Sequence, residues 1–256
     1  MKKILLLIIL CWAIQYGISA RSGETPKNSA MEQIKNKDDI ITFARSIEWL
    51  GQAAVRIRYR GVTVYIDPFQ LKSPDTAAII LITHDHFDHL SPEDLAKIAG
   101  KNTRFVAATA CVEKLKQAGY GNIMAMTPGS KITLGGIHIT AVPAYNVTRN
   151  MHPKEKQYVG YIVDFGGITV YHTGDTERVP EMKEIRCDIM LVPLGQTYTM
   201  TSVEEAAGAV LDTKATVAIP IHWGYAEGAE TDAKRFREIL QPKGVTVMSG
   251  KQGGLK

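Results

Sequence analysis

Cysteine is scarce in this chain. There are three, Cys11 in an apolar N-terminal run and Cys111 and Cys187 beyond it. Two late thiols cannot make a disulfide-dense scaffold, and both read as small buried residues. Long apolar runs are missing after the first twenty residues, so no later segment is long enough to cross a bilayer. Charge of one sign is missing too: 30 basic residues face 26 acidic ones with no clustered basic face, which excludes a nucleic-acid partner. Histidine is rare, at seven residues, yet three of the seven fall within one short stretch. A hydrophobic content of 45% with 22% charged residues excludes a disordered chain and permits a packed core.

The chain starts MKK, continues ILLLIILCWAI and then reads QYGISA. A basic start, about a dozen apolar residues and a small residue at Ala20 predict a signal peptide over 1–20, cleaved after Ala20; an uncleaved anchor is the alternative. Periplasmic or secreted localisation follows, with no membrane contact after cleavage. Loss of Lys2 and Lys3 brings the 30 basic residues to 28, nearly balanced against the 26 acidic ones. Residues 21–45 read as a polar leader, flexible and turn-rich over 21–31, and residues 46–256 as one domain.

In AVRIRYR, Val55, Ile57 and Tyr59 alternate with Arg56, Arg58 and Arg60, which predicts a strand with one wet face. VTVYI follows as a second strand ending at Asp67, and AIILIT (78–83) as a strand buried on both faces. SPEDLAKIAG predicts a helix capped by Ser91, with Pro92 in its first turn and Gly100 closing it. KITLGGIHIT predicts a hairpin at Gly135-Gly136. GITVYHTGD (167–175) echoes GVTVYID (61–67), and each is followed by another apolar strand, which suggests two similar halves packed together. SVEEAAGAVLD predicts a helix with a capping box of Ser202 and Glu205. ATVAIPIH predicts a last buried strand, followed by a helix with Phe236, Ile239 and Leu240 on one face.

The chemistry concentrates in His84-Asp85-His86-Phe87-Asp88-His89, directly after a buried strand. Imidazoles and carboxylates crowded at a strand end need water or partners. His84 and His86, two apart in an extended loop, aim the same way. Asp88 and His89 follow a bend and aim a few ångströms off, so one loop can feed two adjacent ions. Imidazole with carboxylate suits Zn²⁺ at ~2.0–2.2 Å with a position left open for water; Mn²⁺ or Fe also fits such donors. One loop cannot complete two shells, so later strand tips must contribute. His222 ends ATVAIPI, Asp175 ends the echoed strand, and His152 sits in the loop RNMHPK. His138 reads as structural, and His172 as core or as support for a ligand.

Taken together, IEWLGQAAVRI, VYIDPF, LITHDHFDHL, PAYN, HPK, VYHTGDT and AIPIHWG resemble the metallo-β-lactamase superfamily, in its ascorbate-6-phosphate-lactonase-like branch of metal-dependent hydrolases. The resemblance covers residues 46–230. It implies an α/β fold, a four-layer αββα sandwich with two divalent ions at one edge between the sheets. It maps His84, His86, Asp88 and His89 onto the first metal motif, Asp175 onto the bridging carboxylate and His222 onto the last ligand. Two departures stand out. Where the family's third histidine belongs, this chain has Asn146, and His152 is taken as the substitute imidazole. Relatives often carry histidine after the first Leu-Gly, where this chain has Gln52, read as pocket lining. Asp67 matches the strand-end carboxylate that orients a ligating histidine.

The function expected is hydrolysis of a small-molecule ester, lactone or related bond by a metal-activated water. Asp88 is the catalytic candidate, orienting the nucleophile while holding an ion. Tyr145 and Tyr198 are candidate donors to the leaving group. Met200, Tyr198 and Trp223 are candidates for an apolar rim, with core packing as the alternative. A phosphodiesterase on the same fold and a non-catalytic metal-binding protein are the rival readings, because fold does not fix function. A homo-oligomer is compatible with the resemblance.

Overall fold

The computed structural model describes residues 35–248. The expected signal peptide and residues 21–34 of the leader lie outside the described residues. Residues 35–45 do not belong to a leader. Lys37–Ala44 is a helix, α1, whose N-cap Asn36 accepts from the Asp39 amide while the Asp39 carboxylate accepts from the Asn36 amide. Ile40 and Ala44 are buried in the core. The sign of this helix was the reciprocal Asn36/Asp39 cap, hidden in a run of charged residues.

The first sheet is built from β1 (Glu48–Gly51), β2 (Ala54–Tyr59), β3 (Val62–Ile66), β4 (Ala77–Ile82), β5 (Ala99–Ala108) and β6 (Ile123–Met126), in that spatial order. Helix α2 (Pro92–Ile98) joins β4 to β5, and α3 (Val112–Gln117) precedes β6. The second sheet holds β7 (Lys131–Leu134), β8 (Ile137–Pro143), β9 (Val159–Asp164), β10 (Thr169–His172), β11 (Ile189–Pro193), β12 (Val217–Ile221) and β13 (Thr246–Val247), again in sequence order across the sheet. Helices α4 (Val203–Thr213) and α5 (Glu230–Leu240) follow β11 and β12.

The two halves pair alike. β1–β2–β3 are antiparallel and β3–β4–β5–β6 parallel. β8–β9–β10 are antiparallel and β10–β11–β12–β13 parallel. The echoed segments GVTVYI and GITVYH thus become β3 and β10, each at the switch from antiparallel to parallel pairing.

Side-chain alternation creates the layers. On β11, Ile189 and Leu191 join the core shared with the first sheet, whereas Met190 and Val192 join a second core with Val203, Ala206 and Val210 of α4 and Phe236 and Leu240 of α5. Leu95 and Ile98 of α2 and Leu115 of α3 are buried in the cluster that contains the first sheet. The result is the expected αββα sandwich.

Three local expectations change. Arg56 does not lie on a wet face: it is buried, with its guanidinium 2.6 Å from Glu48 Oε2, 2.8 Å from Asp75 Oδ1 and 3.1 Å from the Tyr65 hydroxyl. Gly100 does not close α2, because Ala99 is already extended and Gly100 runs on in β5. The capping box of α4 is half formed. Ser202 accepts from the Glu205 amide, but the Glu205 carboxylate turns to Thr201 and to the Arg178 amide. The Gly135-Gly136 hairpin forms as expected, with positive φ at both glycines. Cys111 and Cys187 are free and buried.

Candidate metal centre

The loop after β4 is anchored before it reaches its histidines. Asp67, at the tip of β3, accepts from the Thr83 amide at 2.8 Å and from the Thr83 hydroxyl at 2.6 Å. The loop then bends tightly, as the His89 and Leu90 amides both bond back to the His86 carbonyl. This bend sends Asp88 and His89 in a different direction from His84 and His86.

Four imidazoles share one arrangement. His89 Nδ1 is 2.8 Å from Asp67 Oδ2, and His152 Nδ1 is 3.0 Å from Asn146 Oδ1. His222 Nδ1 lies 2.8 Å from the Glu227 carboxylate. The Thr83 hydroxyl spends its proton on Asp67, so at 3.0 Å it accepts from His84 Nδ1. In His84, His89 and His152 the contact at Nδ1 turns Nε2 toward the cluster, where it has no hydrogen-bond partner.

Those donor atoms converge from different elements. His152 comes from the loop after β8, Asp175 from the tip of β10 and His222 from the tip of β12. Asp175 Oδ2 is 3.1 Å from His222 Nε2, 3.5 Å from His152 Nε2 and 3.9 Å from His84 Nε2; its Oδ1 is 3.3 Å from His89 Nε2. Asp88 Oδ2 is 3.6 Å from both His89 Nε2 and His222 Nε2. Three groups with metal-binding geometry result, His84/His86/His152, Asp88/His89/His222 and, linking them, His84/His89/Asp175.

The buried Nε2 atoms of His84, His89 and His152 and Oδ1 of Asp175 have no hydrogen-bond partner. Each such atom costs about 1–3 kcal/mol in the fold when left bare. A cation accepting all of them removes that cost, so the residues fit a metal pair.

Charge follows the same division. Burial pulls the His84 imidazole well below its ordinary pKa and His152 to about 4, so both rings are neutral at pH 7. Burial acts the same way on His89, but Asp175 and Asp67 outweigh it and raise the group to about 10. His222 is likewise raised, against burial, by Asp175, Asp88 and Glu227. Burial pushes the Asp88 carboxyl up, and the hydrogen bond from His222 with the charge of His89 reverses this, to about 2. Asp175 is also held well below the carboxylate range, with burial overcome by His222 and His89.

The expected choice between Asn146 and His152 becomes a partnership. His152 brings its Nε2 into the cluster, and Asn146 holds its ring and backbone, with its own amide donating to the Tyr198 carbonyl at 3.2 Å. Gln52 does more than line the pocket. Its Nε2 lies 2.9 Å from Asp88 Oδ2 and 2.8 Å from His222 Nε2, and its carbonyl accepts from the His222 amide at 2.7 Å. Tyr198 lines the cleft, a space of about 530 Å³ over the donor cluster.

Tyr145 does not face the cleft. Its hydroxyl donates to Glu181 at 2.9 Å on the far side of the loop, which removes it as a donor to the leaving group. Met200 is buried in the α4/α5 core, and Trp223 stacks on Trp49 with ring centroids 5.3 Å apart, so neither rims the cleft. His138 is exposed, and His172 is buried with Nε2 2.9 Å from the Ala53 carbonyl.

Glu227 and Glu177 escaped the sequence reading. Glu227 accepts from the Thr197 and Tyr198 amides behind His222. Glu177 accepts from the Val147 and Thr148 amides and so shapes the loop that carries His152. Each is an isolated acid in a loop, which in sequence looks like surface charge.

Fold and site together define a class, and similarity to known proteins agrees. Residues 46–222 match the Beta-lactamase superfamily domain. A "UPF0173 metal-dependent hydrolase" of Archaeoglobus fulgidus is 34% identical over 78% of this chain and 93% of its own length. Its counterpart in Methanopyrus kandleri is 34% identical over 78% of this chain and 94% of its own. A crystal structure from Parabacteroides distasonis, of a protein assigned to the metal-dependent hydrolases, superposes with a TM-score of 0.71 at 30% identity. It covers 80% of this chain and 92% of that one. The chain belongs to the metallo-β-lactamase superfamily, among the UPF0173 metal-dependent hydrolases.

Proposed function

We propose that this hydrolase works outside the cytoplasm with two divalent ions, zinc in the first instance, and cleaves an ester, lactone or related bond in a small molecule. The observation that carries this reading is the set of bare, buried Nε2 atoms around Asp175, each on a ring fixed from behind. His84, His86 and His152 would hold one ion and Asp88, His89 and His222 the other, with Asp175 shared between them. Mn²⁺ or Fe would find the same nitrogen–oxygen donors acceptable. When bound, the ions supply Lewis acidity toward a substrate oxygen and lower the pKa of water.

The chain's own residues do the rest. Asp88 stays ionised at neutral pH and would orient the attacking water, while Gln52 donates to its Oδ2. Tyr198, which lines the cleft, is the candidate to protonate a leaving group. Export rests on the N-terminal pattern, a basic start, an apolar run and Ala20.

The test uses the purified mature chain, loaded with zinc or manganese and assayed against lactones, carboxylic esters, a β-lactam and bis-nitrophenyl phosphate. Turnover of lactone or ester, abolished in Asp88→Ala, is the expected result. Full activity in that variant would remove the role given to Asp88, and turnover of the phosphodiester alone would make the enzyme a phosphodiesterase. Less than one bound equivalent after reconstitution would end the two-ion reading. N-terminal sequencing of the protein recovered from the periplasm or medium tests the cleavage after Ala20.

A further inference from the structure

Large hydrophobic side chains are exposed at six positions among the described residues: Phe87, Val147, Met151, Tyr198, Leu211 and Tyr225. Singly scattered apolar residues on a surface mean little. Here, four of the six gather at one place. Phe87, Met151 and Tyr198 line the cleft over the donor cluster. Tyr225 meets Phe69 edge to face at 5.7 Å, and Phe69 meets Phe87 in the same way at 5.9 Å. Phe87 and Tyr225 remain 69% and 55% exposed despite these contacts.

The cleft is therefore polar at its floor and apolar at its rim. Its volume, about 530 Å³, is in the range that takes a small organic ligand. Among its lining residues the only lysine or arginine is Lys114. Its ammonium is already engaged, 2.8 Å from Asp85 Oδ2 and 2.7 Å from the Asp85 carbonyl. Among the described residues, no free cation lines the cleft to greet a phosphate or a second carboxylate. Thioether and aromatic side chains accept flexible apolar groups of varied shape.

We propose that the substrate is amphipathic: a hydrolysable polar head over the donor cluster and an apolar acyl, alkyl or aryl arm laid across Phe87, Met151, Tyr198 and Tyr225. This rests on the hydrolase reading above for the head and on the exposed rim for the arm.

The zinc-loaded mature protein is tested in two ways. Straight-chain 4-nitrophenyl esters from acetyl to octanoyl give kcat/KM, and alkyl hydroxamates from two to ten carbons, which chelate zinc without being hydrolysed, give affinity by calorimetry. Both should rise by about twofold to fourfold per methylene, the increment of burying a methylene on apolar surface. Met151→Ser with Tyr225→Ser should flatten the slope in both series. Leu211→Ser, which changes an exposed hydrophobic outside the cluster, should leave the slope as it is.

Hydroxamate affinity that climbs with chain length while no ester is turned over would keep the rim and refute the hydrolase reading. Ester turnover with no chain-length dependence in either series would do the reverse. A Met151→Ser/Tyr225→Ser variant that changes only the sedimentation of the protein would also overturn the proposal, because the rim would then be a face between copies.

Discussion

Asn146 shows how one residue can matter to a metal site without touching the metal. Its Oδ1 accepts from both the backbone and Nδ1 of His152, and its amide is tied to the Tyr198 carbonyl. Asn146→Ala leaves His152 free to turn, and we expect zinc affinity to fall about 10- to 100-fold, the usual effect of losing a residue that orients a ligand. Competition against a chromogenic chelator reads this directly; unchanged affinity would mean that His152 is not a ligand. The HDHFDH run could be read from sequence because its donors are neighbours in the chain. The Asn146–His152 pairing could not, since two candidates six residues apart in a loop carry no periodicity. Arg56 was misread for the opposite reason, because alternation in AVRIRYR shows which face a residue takes but not what covers it. Burial raises the Glu48 carboxyl, and hydrogen bonds and charge from Arg56 and Arg58 more than reverse this, leaving it below its ordinary value. Asp75 is lowered in the same manner, with burial outweighed by the Tyr65 hydroxyl and by Arg56. Groups lowered on folding stabilise above their unfolded pKa, about 4, and that stability disappears as pH falls through their folded values. Arg56→Met should cost about 2 kcal/mol in urea unfolding at pH 7, discounted for the partial exposure of both acids. The deficit should shrink toward pH 3; an equal deficit at both pH values would assign it to packing.

At the scale of elements, the site is a set of strand tips, and the turns behind them decide where the ligands point. The residues after β11 wrap around Glu227, which takes the Thr197 and Tyr198 amides and faces His222 Nδ1. Gly195 makes room for this: a Cβ there would sit 1.8 Å from the Glu227 carboxyl. Gly195→Ala must expel that side chain, and His222 then loses its acceptor. Calorimetric titration with zinc should show one of two equivalents weakened by about 10- to 100-fold while the His84/His86/His152 site keeps its affinity. Equal weakening of both would point to general loss of structure. The strands themselves were plain in the sequence, because AIILI and VAIPI are unbroken apolar runs that only a doubly covered strand needs. Pro220 sits within β12, where among the described residues β13 pairs with Val217 and Ala218 alone. Helix α1 went unseen because eight residues with two acids in the first turn show little apolar stripe, and only tertiary burial of Ile40 and Ala44 keeps it.

For the whole molecule, the candidate metal centre is where the two halves of the chain are joined chemically as well as by apolar packing. His84, His86, Asp88 and His89 leave β4 of the first sheet, whereas His152, Asp175 and His222 leave β8, β10 and β12 of the second. The echo of VTVY in both halves made the duplication legible, and the identical switch from antiparallel to parallel pairing at β3 and β10 bears it out. Ions held between the sheets bind the folded chain and find no such array in the unfolded one, so binding adds to folding stability. At free zinc about 100 times the dissociation constant, that amounts to about 2.7 kcal/mol. For a domain of this size each kcal/mol moves the midpoint by about 2–4 °C, so excess EDTA should lower Tm by about 5–10 °C. Zinc added back should restore it, with a midpoint that climbs with zinc concentration. His138→Ala, on an exposed strand position outside the cluster, should respond to EDTA as the parent does. Asp175→Ala, which removes the carboxylate between the two groups, should lose most of the response. A Tm indifferent to EDTA in the parent would mean that the bare nitrogens around Asp175 are not answered by a metal, and the hydrolase reading would go with it.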